Sequence, residues 1–420
     1  MTFIDRYLPI ISWIPKAIEA RLLTRHMLFS IPKQRPAVRE SARQVSVLDE
    51  AAIRESAVFQ VQLGRKRNVR FLPIETNIDE IPLAENEVLF LPHSLGLMKY
   101  ILYYNDGYLP MDIDTFVDPK RELNTAQFKT VPAWGLATVY RTNHPEIAEG
   151  SLYYGLWPLA PYSVRAITSV DHGDRVAYQD IPRFKGAREW LKLIEADDFS
   201  LMVSDYFEYF KIGITYAREL RDFGYFGAEQ LVLTSASSSS SQVIAMCVKE
   251  LNPSMPIIGL TSRRNISLVE RLPYYDEVYT YDDIKASPNA KATLFFEVLG
   301  KEAVTAECFD HFEISRWWFY GQGSERLLFR FLKKNSRGTF YTNLVDSYIY
   351  AKRHSVSDAQ ILSESLALNQ KYELEKLWAS NVRQISSNRD LYALYNSFIH
   401  NTQPSGEKVM YRSPLHPQAS

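Results

Sequence analysis

Between residues 228 and 320, compact apolar runs alternate with longer segments whose apolar positions recur at helical spacing. LVLT (231–234) reads as a buried strand, and Val243, Ile244, Met246, Cys247 and Val248 mark the helix after it. PIIGL (256–260) is a second strand, followed by a helix containing Leu268, Val269 and Leu272. EVYTY (277–281) and TLFFEV (293–298) supply a third and a fourth strand. Alternation at this spacing predicts a parallel sheet with right-handed crossovers, an α/β unit of Rossmann type. Residues 46 to about 200 follow another pattern. Short runs such as VFQV (58–61) and VLFL (88–91), separated by turn residues, predict a β-rich region. From about residue 340 the chain reads as mostly helical, with Ser357 as N-cap, Gln360 at the third helical position, and Leu362, Leu366, Leu374, Leu377 and Trp378 as apolar positions. The expected organisation is an N-terminal extension (1–45), a β-rich domain (46–200), a Rossmann-type domain (201–335), a C-terminal helical segment (336–401) and a loose polar tail (402–420).

The extension is basic: Arg6, Lys16, Arg21, Arg25, Lys33, Arg35, Arg39 and Arg43 outnumber Asp5, Glu19 and Glu40. Ile14, Ile18 and Leu22 form a helical stripe, open to two readings: a helix on a membrane surface, or one packed on its own protein or a partner chain. The whole chain is different. Its 420 residues carry a net charge of −1, which gives no global field favouring nucleic acid. No apolar run is long enough for a transmembrane helix, and residues 8–14 lack the length and cleavage site of a signal peptide. The 2 cysteines, Cys247 and Cys308, exclude a disulfide framework and a four-cysteine zinc lobe, and fit a reducing cytoplasm.

The string with the most chemistry is LVLTSASSSSSQVIAMC (231–247). A dinucleotide site needs a strand, a tight loop, and a helix whose first N–H groups face the pyrophosphate. Here the loop consists largely of serines: Ser235, Ser237, Ser238, Ser239, Ser240 and Ser241. Each adds a Cβ that crowds a ligand and a hydroxyl that can bond a phosphate. A flexible linker, a Rossmann unit that has lost its cofactor, and a working nucleotide site are the competing readings. The second strand ends in Thr261-Ser262-Arg263-Arg264, where enzymes that use NAD place an acid. Two arginines and two hydroxyls suit a 2′-phosphate, so NADP is the expected nucleotide; a solvated basic turn is the alternative.

With these segments the chain resembles the medium-chain dehydrogenase/reductase (quinone oxidoreductase-like) superfamily, and within it a branch known as a domain of unknown function. VPAWGLATVYRTNHPEIAEG (131–150) and SLYYGLWPLAPY (151–162) look like that branch's Trp-Gly and Gly-x-Pro segments. SASSSSS (235–241) occupies its phosphate loop, and IIGLTSRRN (257–265), YYDEVYTYDDI (274–284) and ATLFFEVLGKEAV (292–304) are similar to the elements that follow. The resemblance implies a GroES-like β-rich domain packed on a Rossmann domain, with the active cleft between them. It places Ser235, Ser238 and Ser241 at the three loop-glycine positions and Thr261, Ser262 and Arg263 at the 2′-phosphate positions. Zinc-free relatives reduce enones, quinones or enoyl thioesters with NADPH, and relatives are commonly homodimers. The branch carries a Lys-Thr pair where this chain has Ser239 and Ser240.

Both cysteines fall in the nucleotide-binding half, which argues against catalytic zinc in the β-rich domain; no metal ligands are expected. Hydride transfer needs a placed cofactor and often a proton donor. Tyr100 and Tyr104 lie in the segment expected to line the cleft, and Lys99 beside them lowers a tyrosine pKa electrostatically; packing is the competing role for the tyrosines. Trp134 and His144 are further candidates for the cleft. The leading expectation is a zinc-independent, NADPH-dependent reductase of a small-molecule conjugated carbonyl, quinone or acyl thioester. Two others stand beside it: a nicotinamide-free enzyme that binds acyl-CoA or an acyl carrier, and a non-catalytic binding protein with a degenerate loop.

Overall fold

The computed structural model describes residues 57–62, 65–74, 77–102, 128–171, 175–178, 189–194, 207–319, 340–342, 358–372, 382–400, 402–403 and 407–416. The basic extension (1–45) and Ser357 lie outside them. The chain divides into two compact units, one of Gln44–Phe207 with Asn369–Ser420, the other containing Glu208–Leu368.

The first unit opens with β1 (Ala57–Gln62), paired to β2 (Arg65–Pro73) and to β4 (Phe128–Thr130). Then come β3 (Glu87–Leu97), β5 (Pro132–Thr142), β6 (Leu152–Pro158), β7 (Ser163–Asp171), β8 (Arg175–Tyr178) and β9 (Glu189–Ile194). Pairing runs β3–β5–β6–β9–β8–β7 and returns from β7 to β3, antiparallel throughout. The six strands thus close into a barrel, the GroES-like domain expected from the sequence. Strand β3 is buried along nearly its whole length because each of its faces serves a core. Val88 and Phe90 enter one apolar cluster, Leu89 and Leu91 another. Across the β3–β5 pair, Gly135 lies opposite Leu95, and a Cβ on it would come within 2.1 Å of the Ser94 carbonyl oxygen. Only glycine admits that approach. Its own carbonyl accepts the indole N–H of buried Trp157 at 3.0 Å.

The second unit begins with α1 (Phe207–Asp222), then β10 (Gln230–Leu233), α2 (Ser239–Leu251), β11 (Ile257–Thr261), α3 (Ile266–Val269), β12 (Glu277–Thr280), β13 (Ala292–Glu297), α4 (Glu302–His311), β14 (Glu313–Phe319), β15 (Phe340–Thr342) and α5 (Asp358–Lys371). The strands pair in parallel in the order β12-β11-β10-β13-β14-β15, the Rossmann order. All four strands read from the apolar runs are present. Strands β14 and β15 extend the sheet beyond them, and α3 is a single turn rather than a full helix. Gly213 sets the approach of α1 to α2, since a Cβ there would lie 2.7 Å from Val243 Cγ1.

The chain then returns to the first unit as β16 (Val382–Ile385), α6 (Asn388–His400) and β17 (Lys408–Tyr411). β17 pairs antiparallel with β3 and parallel with β16. This differs from the loose tail expected over 402–420: Val409, Met410 and Tyr411 are buried, and Ser413 bonds the Pro92 and Pro161 carbonyls. No helix among the described residues is long and apolar enough to cross a membrane.

Candidate functional site

The winding of the parallel sheet reverses at β10, which has β11 on one side and β13 on the other. Loops leaving neighbouring strand ends diverge at such a point and open the crevice in which doubly wound sheets bind ligands. Residues 234–238 make the connection from β10 to α2. Ser235 turns the chain with φ of 51°, a left-handed conformation that usually calls for glycine. Its neighbours hold it there. The Ser235 N–H donates to the Tyr281 phenol oxygen at 3.1 Å, and the Tyr275 hydroxyl donates to the Ala236 carbonyl at 3.0 Å. Gln242 Nε2 donates to the Ser237 carbonyl at 2.9 Å, and Gln242 is oriented in turn by the Tyr274 hydroxyl, also at 2.9 Å. Asn265 Nδ2 donates to Ser237 Oγ at 2.8 Å. Across the loop, Gly259 of β11 makes room, since a Cβ on it would sit 2.9 Å from the Ala236 Cβ.

The serines divide into two groups. Ser238 is the N-cap of α2: its Oγ accepts from the Ser241 N–H at 3.3 Å and donates to Ser241 Oγ at 3.1 Å. Ser241 Oγ donates to the Thr234 carbonyl at 2.8 Å. Ser240 and Ser241 are buried within the helix, whereas Ser235, Ser237, Ser238 and Ser239 stay half-exposed along the loop and the helix start. At the end of β11, Thr261 is fully buried, and among the described residues neither its hydroxyl nor Asn265 Oδ1 has a hydrogen-bond partner. Buried polar atoms are almost always paired, so these two mark a place where a ligand's polar group fits. Ser262 is half-buried and Arg263 and Arg264 are exposed, with Arg263 Nη2 3.6 Å from Asp282 Oδ2. Such an exposed pair contributes little and yields readily to a phosphate. The half-exposed hydroxyls, the capped start of α2 and the exposed arginines are the kinds of group that a phosphorylated nucleotide requires.

Beneath the loop lies a group that sequence spacing did not reveal. Thr234 Oγ1 accepts from the N–H groups of Val298 (2.7 Å) and Leu299 (3.1 Å). Its hydrogen faces Glu297 Oε1 (3.3 Å) and the Phe296 carbonyl (3.4 Å). Glu297 is fully buried and accepts from the Gly300 N–H at 2.8 and 3.1 Å. Burial holds its carboxyl up at about 7, against the pull of the Gly300, Thr234, Leu299 and Thr305 hydrogen bonds. Burial also raises the Tyr281 phenol and the Cys308 thiol nearby. Cys247, on the buried face of α2, is raised likewise, which makes both cysteines core thiols rather than nucleophiles.

In the other unit, Lys99 and Tyr100 belong to a short 3-10 turn, Lys99–Leu102, directly after β3; their side chains, and all of Tyr104, lie outside the described residues. Trp134 stacks on Tyr154 with ring centroids 5.8 Å apart. His144 sits in the turn after β5, where its Nδ1 accepts from the Glu146 N–H at 3.2 Å.

Solved structures with this architecture include the mycobacterial Rv1454c complexed with NADPH (11% identity, 85% of this chain and 99% of that one, TM-score 0.53). A quinone oxidoreductase of Pseudomonas syringae pv. Tomato DC3000 (14% identity, 85% and 99%, TM-score 0.52) and the CurK enoyl reductase (13% identity, 86% and 99%, TM-score 0.51) share it as well. These likenesses establish the fold, a Rossmann-type parallel sheet with a GroES-like barrel in the medium-chain dehydrogenase/reductase manner. No curated protein matches the sequence. A family model matches residues 103–321, more than half of the chain, and the chain therefore belongs to the family described as Protein of unknown function (DUF2855).

Proposed function

We propose that the protein is an NADP(H)-dependent reductase of a conjugated carbonyl, a quinone or an acyl thioester, working without zinc. The observation that carries this reading is the serine loop itself. It is locked at the switch point of a Rossmann sheet, with an unpartnered buried hydroxyl, Thr261 Oγ1, at the end of the neighbouring strand. The fold is shared with a solved NADPH complex and with quinone and enoyl reductases, which supports the same substrate class. The start of α2 and the half-exposed serines hold the pyrophosphate, helped by the helix dipole. Thr261, Ser262, Arg263 and Arg264 hold the 2′-phosphate and its ribose. A nicotinamide held there would supply the hydride of the reduction. Tyr100 or Tyr104 supplies the proton that completes the reduction, and Lys99 tunes the donor by its charge.

One observation favours a second reading, a binding protein with a degenerate loop: the hydroxyls of Ser238 and Ser241 are spent on internal bonds. Thermal-shift titration separates the two. A nucleotide at 100 times its Kd adds about 2.7 kcal/mol of stability. NADPH is expected to stabilise more than NADH, and Arg263→Ala to erase that preference. Absence of any shift with either nucleotide at several millimolar would refute the reductase.

A further inference from the structure

Thr234 is the first residue of the serine loop, and its hydroxyl reaches the buried carboxyl of Glu297. Its single hydrogen has two acceptors in reach, Glu297 Oε1 at 3.3 Å and the Phe296 carbonyl at 3.4 Å. An ionised Glu297 draws that hydrogen to itself, and a neutral one releases it to Phe296. The titratable groups that face the carboxyl are the Tyr281 phenol, just past β12, and the Cys308 thiol on α4. Both are neutral over the working range, and no described cation pairs with Glu297. Among the described residues its negative charge is therefore compensated by hydrogen bonds alone. The Tyr281 phenol in turn accepts from the Ser235 N–H of the loop at 3.1 Å.

We propose that Glu297 is a positioning residue that takes up a proton when a nucleotide's phosphates dock at the serine loop, acting through Thr234. The inference rests on the nucleotide reading above. A phosphate brought to this loop adds negative charge near a buried carboxylate that no described cation pairs with. Attraction between unlike charges and repulsion between like ones are strong in such a low-dielectric site. Binding is therefore favoured in the form that carries no charge at Glu297. The proton comes from solvent and goes to a Glu297 oxygen; no other bond forms or breaks. Because the bound state holds the carboxyl proton more tightly than the free state, affinity is highest at low pH and declines as pH rises through neutrality. A shift of one pKa unit on binding corresponds to a tenfold loss of affinity across that range.

Isothermal titration calorimetry of the full chain with NADPH and with NADH tests this, at pH 7 in two buffers of different ionisation enthalpy. NADH lacks the 2′-phosphate, which titrates near pH 6 itself and, beside Arg263 and Arg264, would release protons on binding and offset the uptake. Wild type is expected to take up a substantial fraction of a proton with NADH, and to bind NADH about tenfold more weakly at pH 8.5 than at pH 6. Glu297→Gln, which keeps an acceptor for the Gly300 N–H, is expected to bind NADH with no uptake and a flat pH profile. Should that variant not fold, uptake by the wild type still decides. Binding of NADH to wild type without proton uptake, or uptake unchanged in Glu297→Gln, overturns the role of Glu297 and leaves the nucleotide reading intact. No binding of either nucleotide at any pH overturns both.

Discussion

Glu297 carries a linkage that is readable without any ligand. Burial raises its carboxyl from 4.5 to about 7. A group whose folded pKa lies above its unfolded value binds protons more tightly in the folded state, so its contribution is complete below pH 4.5 and lost as pH rises through 7. The difference amounts to about 3 kcal/mol between those limits. Urea denaturation of the wild type at pH 5 and pH 8 is expected to show that decline on top of the protein's general pH response, with Glu297→Gln lacking it. An identical pH dependence in the two proteins would mean that the buried carboxyl titrates normally. Tyr281 and Cys308 add nothing in this window, because burial moves both further from it.

At the scale of elements, the serine loop shows how a turn that usually needs glycine is built without it. Ser235 accepts the strained φ, and side chains from just past β12, from α2 and from the turn before α3 fix the N–H, carbonyl and hydroxyl groups around it. Ser238 then caps α2, and Ser238→Ala is expected to cost about 1 kcal/mol, the usual loss for an N-cap hydroxyl. Chemical denaturation measures it; an unchanged midpoint would show that the cap contributes nothing. The strand–loop–helix framework was legible in the sequence because parallel strands buried on both faces read as unbroken apolar runs, as LVLT and TLFFEV do. The partners of the loop were not legible. Tyr281 meets Ser235 across 46 residues and Glu297 meets Thr234 across 63, and only the pairing of β10 with β13 and the fold of β11 and β12 bring them together. Serine count alone did not separate Ser241, sealed inside the helix, from half-exposed Ser237 and Ser239.

On the whole-molecule scale, each unit owns its core. Val232, Ile258, Phe295 and Trp317 close one, while Phe59, Phe90, Trp157, Tyr395 and Tyr411 share another. The second of these draws on segments at opposite ends of the chain, which explains why its last strand escaped the sequence reading. KVMY is too short and too close to prolines to announce a strand, and it is defined by the edge of β3 that it covers. Deleting residues 404–420 uncovers that edge and removes three buried apolar side chains, Val409, Met410 and Tyr411. Each is worth about 1.5–3 kcal/mol of burial, together a large part of a typical domain's total stability of about 5–15 kcal/mol. Amide hydrogen exchange, read segment by segment, is the suitable measurement. The truncated chain is expected to lose protection in β3 and β5 while β10, β11 and β13 keep theirs, because the apolar cluster of the parallel sheet contains no residue of the deleted segment. Equal loss in both units would show that they unfold as one, and unchanged protection in β3 would show that β17 is a passive addition to the barrel.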